Sequence, residues 1–178
     1  MALKMRRRAN LTSQCTFPKR IEDTPAFHNW PCENLEVVYG EGIYIGYRHY
    51  DRVKVEPLFP FGHGLCYTTF EYGRPSLSSK VLTKNGSLEL IVGISNIGDV
   101  DGSETVQVYV RDEKSRLPRP EKELVAFEKV TLEAGETKHL RIELDKYAVG
   151  YYDTSIGSWI AEEGRFNVLV GASAADIK

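Results

Sequence analysis

Two adjacent carboxylates, Glu162 and Glu163, offer the simplest chemistry that this sequence suggests. A pair of carboxylic acids can hydrolyse a glycosidic bond when one acts as nucleophile or base and the other as acid. Neighbouring residues on a strand point to opposite faces, however, and the glycine that follows, Gly164, is typical of a turn. We therefore interpret this pair as a solvated turn, with no catalytic role.

A second candidate combines His63 with Cys66, whose spacing suits zinc. A zinc site needs three or four ligands, and only His28 and Cys32, on the other side of a proline-rich stretch, could complete it. Cys66 as a nucleophile would also need a base held by a third group, which the sequence does not identify. We interpret His63 as part of a glycine turn and Cys66 as a small buried side chain.

Three acidic residues, Asp99, Asp101 and Glu104, loosely resemble a calcium-binding loop. The neighbouring glycines Gly98 and Gly102 explain a turn without metal, and the full twelve-residue ligand pattern is missing. We therefore predict no catalytic residue, no metal site and no cofactor in this chain.

Aromatic side chains form the last candidate group. They could line a sugar-binding surface, because pyranose faces stack on aromatic rings, or they could pack against another domain. The residues concerned are Tyr44, Tyr47, Tyr50, Phe59 and Phe61.

The segment 56–72 marks the change from connector to strands. Pro57 and Pro60 exclude a helix there, and Gly62 and Gly64 permit a tight turn. From residue 66 onward the side chains alternate between two faces, which indicates a first β-strand. Upstream, glycines interrupt residues 37–50, where we predict one short strand.

Short strands separated by turns follow to the end of the chain. This pattern predicts an antiparallel two-sheet β-sandwich with little helix. The predicted strands are 88–95, 104–111, 122–133, 140–144, 149–153 and 166–170, with a hairpin-like turn at 162–164. The predicted core comprises Val106, Val108, Val110, Leu140, Ile142, Phe166, Val168 and Val170.

Composition excludes several classes of function. The chain has 178 residues, 42% of them hydrophobic, and a formal charge of −2, which indicates a globular protein without a field for nucleic acid or an anionic membrane. No window is apolar enough for a membrane span, and no apolar segment follows the basic start MALKMRRRAN, so no secretory signal is visible. Three scattered cysteines predict no disulfide framework.

Several long motifs, in order, resemble one family. The run PLFPFGHGLCYTTFEY resembles the segment that introduces the C-terminal fibronectin type III-like domain of glycoside hydrolase family 3 β-glucosidases. The runs TFPKRIEDTPAFHNWP and EGIYIGYRHYD resemble the end of the preceding α/β domain, of the fungal or yeast type, and NIGDVDGSETVQVYV and KELVAFEKVTLEAGET match the domain itself. The resemblance covers residues 16–178.

This resemblance implies an organisation. Residues 1–15 would be a disordered or unmatched tail, 16–56 a remnant of the α/β sandwich domain with its connector, and 57–178 an immunoglobulin-like, fibronectin type III-like sandwich. The family's nucleophile lies in an N-terminal barrel and its acid/base glutamate lies earlier in the α/β domain than residue 16. Neither segment is in this sequence, so we expect no activity from the chain alone.

The resemblance also implies a function. The sandwich would be an accessory domain that braces the barrel and the α/β domain of an enzyme that hydrolyses terminal β-D-glucosyl residues, whether cytoplasmic or secreted. Residues 16–61, including the aromatic group, would then be covered by the α/β domain on one side and by the sandwich on the other. The isolated chain would therefore self-associate, and a chain beginning near Pro57 would behave better. The alternative is a free-standing carbohydrate-binding or protein-interaction module.

Overall fold

The computed structural model describes residues 10–31 and 34–178, and this part of the chain is mainly β. Its strands are β1 (Asn10–Thr12), β2 (Gly64–Cys66), β3 (Phe70–Tyr72), β4 (Ser76–Leu77), β5 (Leu88–Asn96), β6 (Gly102–Asp112), β7 (Glu123–Leu132), β8 (Thr137–Leu144), β9 (Tyr151–Asp153), β10 (Ser158–Ile160) and β11 (Phe166–Gly171). The helix α1 spans Tyr47–Val53, and 3-10 turns lie at Ile21–Asp23, Phe27–Asn29 and Lys146–Ala148. Nowhere in 10–31 and 34–178 is a helix both long and apolar enough to cross a membrane.

Two antiparallel sheets form the sandwich. In the first, β6 lies between β11 and β7, with Val108 opposite Val170 on one side and Ala126 on the other. In the second, β5 pairs with β8 along its length, while the short strands β3 and β4 share its other edge. The predicted antiparallel β-sandwich is confirmed.

The core lies between the two sheets, because each long strand presents alternate apolar residues to it. The core cluster consists of Leu88, Leu90, Val92, Ile94, Val106, Val108, Val130, Leu132, Leu140, Ile142, Leu144, Ala148 and Val170. Of the predicted core residues, six are buried; Val168 is half-buried against this cluster, and Phe166 is half-buried outside it.

The first sheet is buried on its outer face as well. Gln107 and Tyr109, which point away from the core, are 2% and 0% exposed. The aromatic side chains of α1 and the segment around Phe61 cover them. The connector therefore packs against the sandwich of its own chain.

The start of the described chain also joins the connector. Strand β1 pairs with β2, and the backbone N–H of Phe17 donates to the carbonyl of Phe59 at 2.8 Å, so residues 10–17 run antiparallel to 58–66. Within the segment predicted to be a disordered or unmatched tail, residues 10–12 thus form a strand, whereas residues 1–9 lie outside the described residues. The division into domains at residues 15 and 56 stays a prediction.

Two local predictions are wrong. Residues 47–53 form the helix α1 where a strand was expected, since Gly46 enters it at φ +53° and Lys54 leaves it in the left-handed region at φ +57°. The turn at 162–164 is not a hairpin, because β10 pairs with β9 while β11 pairs with β6. Apolar periodicity does not reveal which strand a turn connects to which sheet.

Candidate functional site

The strongest candidate for a functional feature is the surface that holds α1, which we call the helix seat: Gln107, Tyr109, Lys122, Glu123 and Leu124 together with Gly62. Tyr47 of α1 enters it with its ring 5.7 Å from that of Tyr109, edge to face, and 5.5 Å from that of Phe61. Its phenol oxygen accepts a hydrogen bond of 2.9 Å from the backbone N–H of Leu124. One side chain thus satisfies a backbone donor of β7 and covers β6.

Ion pairs surround this aromatic contact. Lys122 lies 2.6 Å from Asp51, with side chains only 11% and 22% exposed, and Arg48 lies 3.5 Å from Glu123. Lys54, at the end of α1, bonds Glu121, and this hydrogen bond lowers the pKa of the Glu121 carboxyl below its usual range. Partly buried charges of opposite sign fix the orientation of the helix on the sheet.

Below the aromatic contact, Gly62 lies against Gln107. A Cβ at Gly62 would lie only 2.0 Å from Nε2 of Gln107, which leaves no room for a side chain. The backbone at Gly62 also has φ +83°, a conformation that favours glycine. The Gln107 amide donates to the carbonyl of Ala172 at 3.0 Å and accepts a hydrogen bond from the Tyr109 hydroxyl. Burial raises the pKa of Tyr109, so this hydroxyl stays protonated.

Beside α1 the helix seat opens into a cleft of about 540 Å³. Its charged groups, among them Lys54, Arg111 and Glu121, pair with one another. The buried hydroxyl of Thr16 at its wall has no hydrogen-bond partner among the described residues. Since the charges are matched, the cleft has no excess charge to attract an anion, and we assign it no ligand.

Arg119 connects the helix seat to the far end of the sandwich. Its guanidinium lies 2.6 Å from Glu123 and 3.3 Å from Asp112, and it donates to the carbonyl of Val149 at 2.9 Å. The side chain is 8% exposed, so it is a buried cation whose donors are occupied. It joins β6 and β7 to the segment that enters β9.

The opposite side of the connector is exposed and apolar. Trp30 is 77% exposed and Tyr39 is 79% exposed, far more than is usual for such side chains in a folded protein. We define the connector surface as Phe17, Trp30, Leu35, Val37, Val38, Tyr39, Ile43 and Ile45, all of them exposed. An apolar patch rimmed by polar residues typically marks a contact with another protein surface.

Comparison with known proteins identifies the sandwich. Residues 104–174 match the family model of the fibronectin type III-like domain. The chain contains a fibronectin type III-like domain. The match begins within β6 and ends after β11, so it covers the sheet that forms the helix seat.

The chain as a whole resembles β-glucosidases. It is 48% identical over 162 residues to thermostable β-glucosidase B of Acetivibrio thermocellus, covering 91% of this chain and 22% of that protein. The crystal structure of a β-glucosidase from Kluyveromyces marxianus superimposes with a TM-score of 0.84 at 41% identity, covering 94% of this chain and 20% of that one. A family 3 β-glucosidase of Bifidobacterium adolescentis gives a TM-score of 0.84 at 39% identity, over 92% of this chain and 24% of its own.

The chain therefore spans about a fifth of the length of the β-glucosidases that it matches. It corresponds to their accessory fibronectin type III-like region, and their catalytic domains are not in this chain. The family resemblance inferred from the sequence motifs is confirmed.

The two carboxylates of the fibronectin type III-like domain at 162–163 are not arranged as a pair. Glu162 accepts hydrogen bonds from the Tyr151 hydroxyl and from the backbone N–H of Arg116. These bonds lower the pKa of Glu162, so it is ionised at neutral pH and unsuited to act as a general acid. Glu163 is exposed.

The zinc candidates do not converge within the described residues. The His63 ring stacks on Phe59 with centroids 5.2 Å apart, and Cys66 is a half-buried free thiol. Cys32 lies outside the described residues. In 10–31 and 34–178, no three acidic, histidine or cysteine side chains are grouped to hold a metal ion.

The acidic calcium candidates Asp101 and Glu104 bind different parts of the chain. Asp101 accepts a 3.4 Å hydrogen bond from the backbone N–H of Ala134, whereas Glu104 accepts one of 2.7 Å from the N–H of Thr105. Burial raises the pKa of Glu104, which lies near Tyr72 and Lys178. Carboxylates turned to separate neighbours cannot share one ion.

The aromatic candidates pack, but against the chain's own fibronectin type III-like domain. Tyr47 and Phe61 belong to the helix seat contact, and Tyr50 of the same helix is buried. The guanidinium of Arg52 lies 4.0 Å from the ring centre of Tyr44, and Phe59 remains 43% exposed. Contact with the sandwich agrees with the expectation that it covers one side of this segment, and the contact expected with an α/β domain on the other side stays a prediction.

Proposed function

We propose that this chain is the accessory region of an enzyme that hydrolyses terminal β-D-glucosyl residues, and that it braces the catalytic domains by holding the connector rigidly. The observation that carries the proposal is the two-sided connector. One side is fixed on the helix seat by Tyr47 and the Lys122–Asp51 pair, and the other presents the connector surface outward.

The relatives support this assignment. All those described above are β-glucosidases, and the match includes the connector as well as the sandwich, since it extends over 91% of this chain. The partners we propose are therefore a catalytic barrel and an α/β domain, with the α/β domain against the connector surface. A β-glucoside would be the substrate of the whole enzyme, and the chain alone would not cleave it, because the catalytic domains of these enzymes are not in this chain.

A chimera tests the proposal. The matching region of the Acetivibrio thermocellus enzyme is replaced by this chain, and hydrolysis of a chromogenic β-glucoside is measured beside the thermal midpoint. We expect an active, folded chimera. The double variant Trp30→Lys with Tyr39→Lys should lower both the midpoint and the activity, because it places charges in an apolar contact.

A matched change in the β9–β10 turn supplies the control. Ile156→Lys also alters an exposed apolar residue, but Ile156 lies in that turn and outside the connector surface. This variant should leave activity unchanged. A chimera that loses nothing when Trp30 and Tyr39 are charged would contradict the bracing role and favour a free-standing module.

A further inference from the structure

We propose that the β9–β10 hairpin carries a binding site for a neutral oligosaccharide. The site is built on three aromatic residues, Tyr147, Tyr152 and Trp159, which we call the aromatic triad. They are 54%, 51% and 58% exposed, and none belongs to the hydrophobic core. The triad shares no residue with the helix seat or the connector surface, although the cleft beside it borders the seat at Glu123 and Leu124. The inference does not depend on the function proposed above.

The triad is a fixed arrangement of rings. Trp159 of β10 lies directly opposite Tyr152 of β9 in the ladder, and their ring centroids are 6.0 Å apart. The ring of Tyr147 meets Trp159 edge to face at 5.8 Å. Trp159 also rests on Gly150, where an added Cβ would lie 3.7 Å from its ring. Aromatic pairs of this kind hold their rings in defined orientations.

A cleft of about 280 Å³ opens beside the triad. Tyr147 and Trp159 line its mouth together with the carboxylates of Glu143 and Asp145. The Glu143 carboxylate is exposed and has no hydrogen bond or ion pair within the described part of the chain, so it is available to accept hydrogen bonds from hydroxyl groups. This volume lies at the small end of ligand clefts and suits a single ring.

The charges around the cleft are balanced. Arg48 and Arg119 are both paired with Glu123, and the negative charge of Glu143 is offset by Lys146, whose ammonium lies 5.2 Å from the ring centre of Tyr147. An anionic ligand therefore finds no excess of positive charge there. A neutral sugar instead donates hydroxyl protons to the carboxylates while its C–H face rests on a ring.

Ring stacking requires a sugar face that carries C–H groups. An aromatic face is electron-rich and attracts the slightly positive hydrogens of C–H bonds. A β-gluco ring places all its substituents equatorially, so both of its faces present only axial C–H groups. A β-gluco oligosaccharide is therefore the simplest probe of the triad, whereas an open-chain polyol has no such face.

The hairpin is held in advance of binding. Arg116 lies 2.5 Å from Asp153, and Asp153 also accepts a 2.9 Å hydrogen bond from the backbone N–H of Ser155. On the other side, Arg119 bonds the carbonyl of Val149. A preorganised site loses less conformational entropy on binding than a flexible one.

Tryptophan fluorescence gives a direct test, because the chain contains only two tryptophans, Trp30 and Trp159. In the full chain with Trp30→Phe, emission reports on the triad alone. We expect cellotriose to shift and quench this emission, with a dissociation constant on the order of 1 mM. Sorbitol, which has hydroxyl groups but no ring face, should bind at least about tenfold more weakly, a difference of about 1.4 kcal/mol.

Variants measured by calorimetry assign the site. Trp159→Ala and Tyr147→Ala should each weaken cellotriose binding about tenfold or more, as expected for central aromatic contacts. Glu143→Gln, which keeps an acceptor oxygen, should weaken it less than Glu143→Ala. Trp30→Ala is the matched control and should bind like the unchanged chain. Far-UV circular dichroism and the thermal midpoint establish that each variant has the β-sandwich fold.

Three results would overturn the inference. They are a folded chain whose Trp159 emission does not respond to cellotriose at any soluble concentration, unchanged binding in Trp159→Ala, and equal binding of cellotriose and sorbitol. A Trp159 emission that changes with protein concentration instead would identify the triad as a contact between proteins. None of these results bears on the chimera, which reports only on the connector surface.

Discussion

The ring of Tyr47 in α1 meets the ring of Tyr109 in β6 edge to face, with centroids 5.7 Å apart. Tyr109 is the largest fully buried side chain among the described residues, yet it points away from the core between the sheets. Its burial depends on the connector, which comes more than forty residues earlier in the chain. The fibronectin type III-like domain is therefore completed by a segment that its family model does not include.

Replacing Tyr109 tests how much this contact contributes. Tyr109→Ala should lower the free energy of unfolding by about 3–5 kcal/mol, the range for removing a buried aromatic ring. Tyr109→Phe keeps the ring and loses only the hydrogen bond to Gln107, so it should cost about 1 kcal/mol. Urea unfolding followed by circular dichroism measures both, and equal losses in the two variants would mean that the ring contributes nothing.

A second prediction concerns Gly62, which lies against Gln107. Gly62→Ala places a methyl group 2.0 Å from the Gln107 amide at a backbone φ of +83°. We expect a loss of about 2–4 kcal/mol from strain and overpacking together. Gly135→Ala is the control, because Gly135 has φ +76° with no atom within 4 Å of the added Cβ, so only the backbone strain of about 1 kcal/mol remains.

Thermal unfolding of these two variants separates the cost of overpacking against Gln107 from the cost of backbone strain. If Gly62→Ala and Gly135→Ala shift the thermal midpoint equally, the close approach of Gly62 to Gln107 has no energetic consequence. In that case the helix seat would be more deformable than the distances indicate.

The Lys122–Asp51 pair gives a third prediction. A double-mutant cycle with Lys122→Met and Asp51→Asn should yield a coupling free energy of about 1–2 kcal/mol, because both side chains are largely buried. The same cycle on Arg141 and Glu89, an exposed pair at 3.0 Å, should give less than about 0.5 kcal/mol. Similar coupling in the two cycles would show that α1 is not oriented by its charges.

Sequence alone predicts the sandwich well because its strands alternate cleanly. Val106, Val108 and Val110 mark one face of β6, and the structure buries all three. Alternation also assigns Gln107 and Tyr109 to the opposite face, but it cannot show whether another segment covers that face. A face of a strand that carries a polar residue and a tyrosine is typically exposed to solvent. The sequence therefore did not indicate that α1 covers this face.

The helix α1 escaped prediction for a related reason. It has seven residues, and only Tyr47 and Tyr50, three positions apart, mark its apolar side. Such a short helix has no stable existence alone and forms because Tyr47 and Asp51 find partners on the sheet. The aromatic triad was missed because its members come from a 3-10 turn and two strands, and only the fold brings them together.

A fourth prediction follows from the buried carboxyl of Glu104. Burial raises its pKa above the ordinary value of 4.5, so the folded state holds this proton at pH values where the unfolded state has released it. The stabilisation is complete below pH 4.5 and is lost as pH rises through the folded pKa. Glu104→Gln, which retains an acceptor for the Thr105 N–H, should remove this dependence and be more stable than the unchanged chain at neutral pH.

Thermal midpoints between pH 4 and pH 8 provide the check. The difference between Glu104→Gln and the unchanged chain should grow as pH rises through this interval. Lys178 lies close enough to favour the charged form of Glu104, so Lys178→Met should enlarge the pH effect. A difference that is constant with pH would mean that Glu104 titrates normally.

The last prediction compares two ways of altering the connector. The sequence suggested that a chain beginning near Pro57 would be better behaved than the full chain, since the connector would lack its partners. The structure reverses this expectation, because removing residues before 57 removes α1 and uncovers the Tyr109 ring. An aromatic side chain buries 150–250 Å², so exposing the whole of it would cost about 4–6 kcal/mol of hydrophobic stabilisation.

Light scattering at equal concentration should therefore rank three proteins by how strongly each self-associates. The full chain should self-associate through the connector surface, the shorter chain should associate more strongly, and the full chain with Trp30→Ser and Tyr39→Ser should scatter least. These serines reduce the exposed apolar area and leave the helix seat intact, because Trp30 and Tyr39 do not contact it. A shorter chain that is monomeric and as stable as the full one would show that the sandwich is complete at residue 57 and that α1 adds nothing to it.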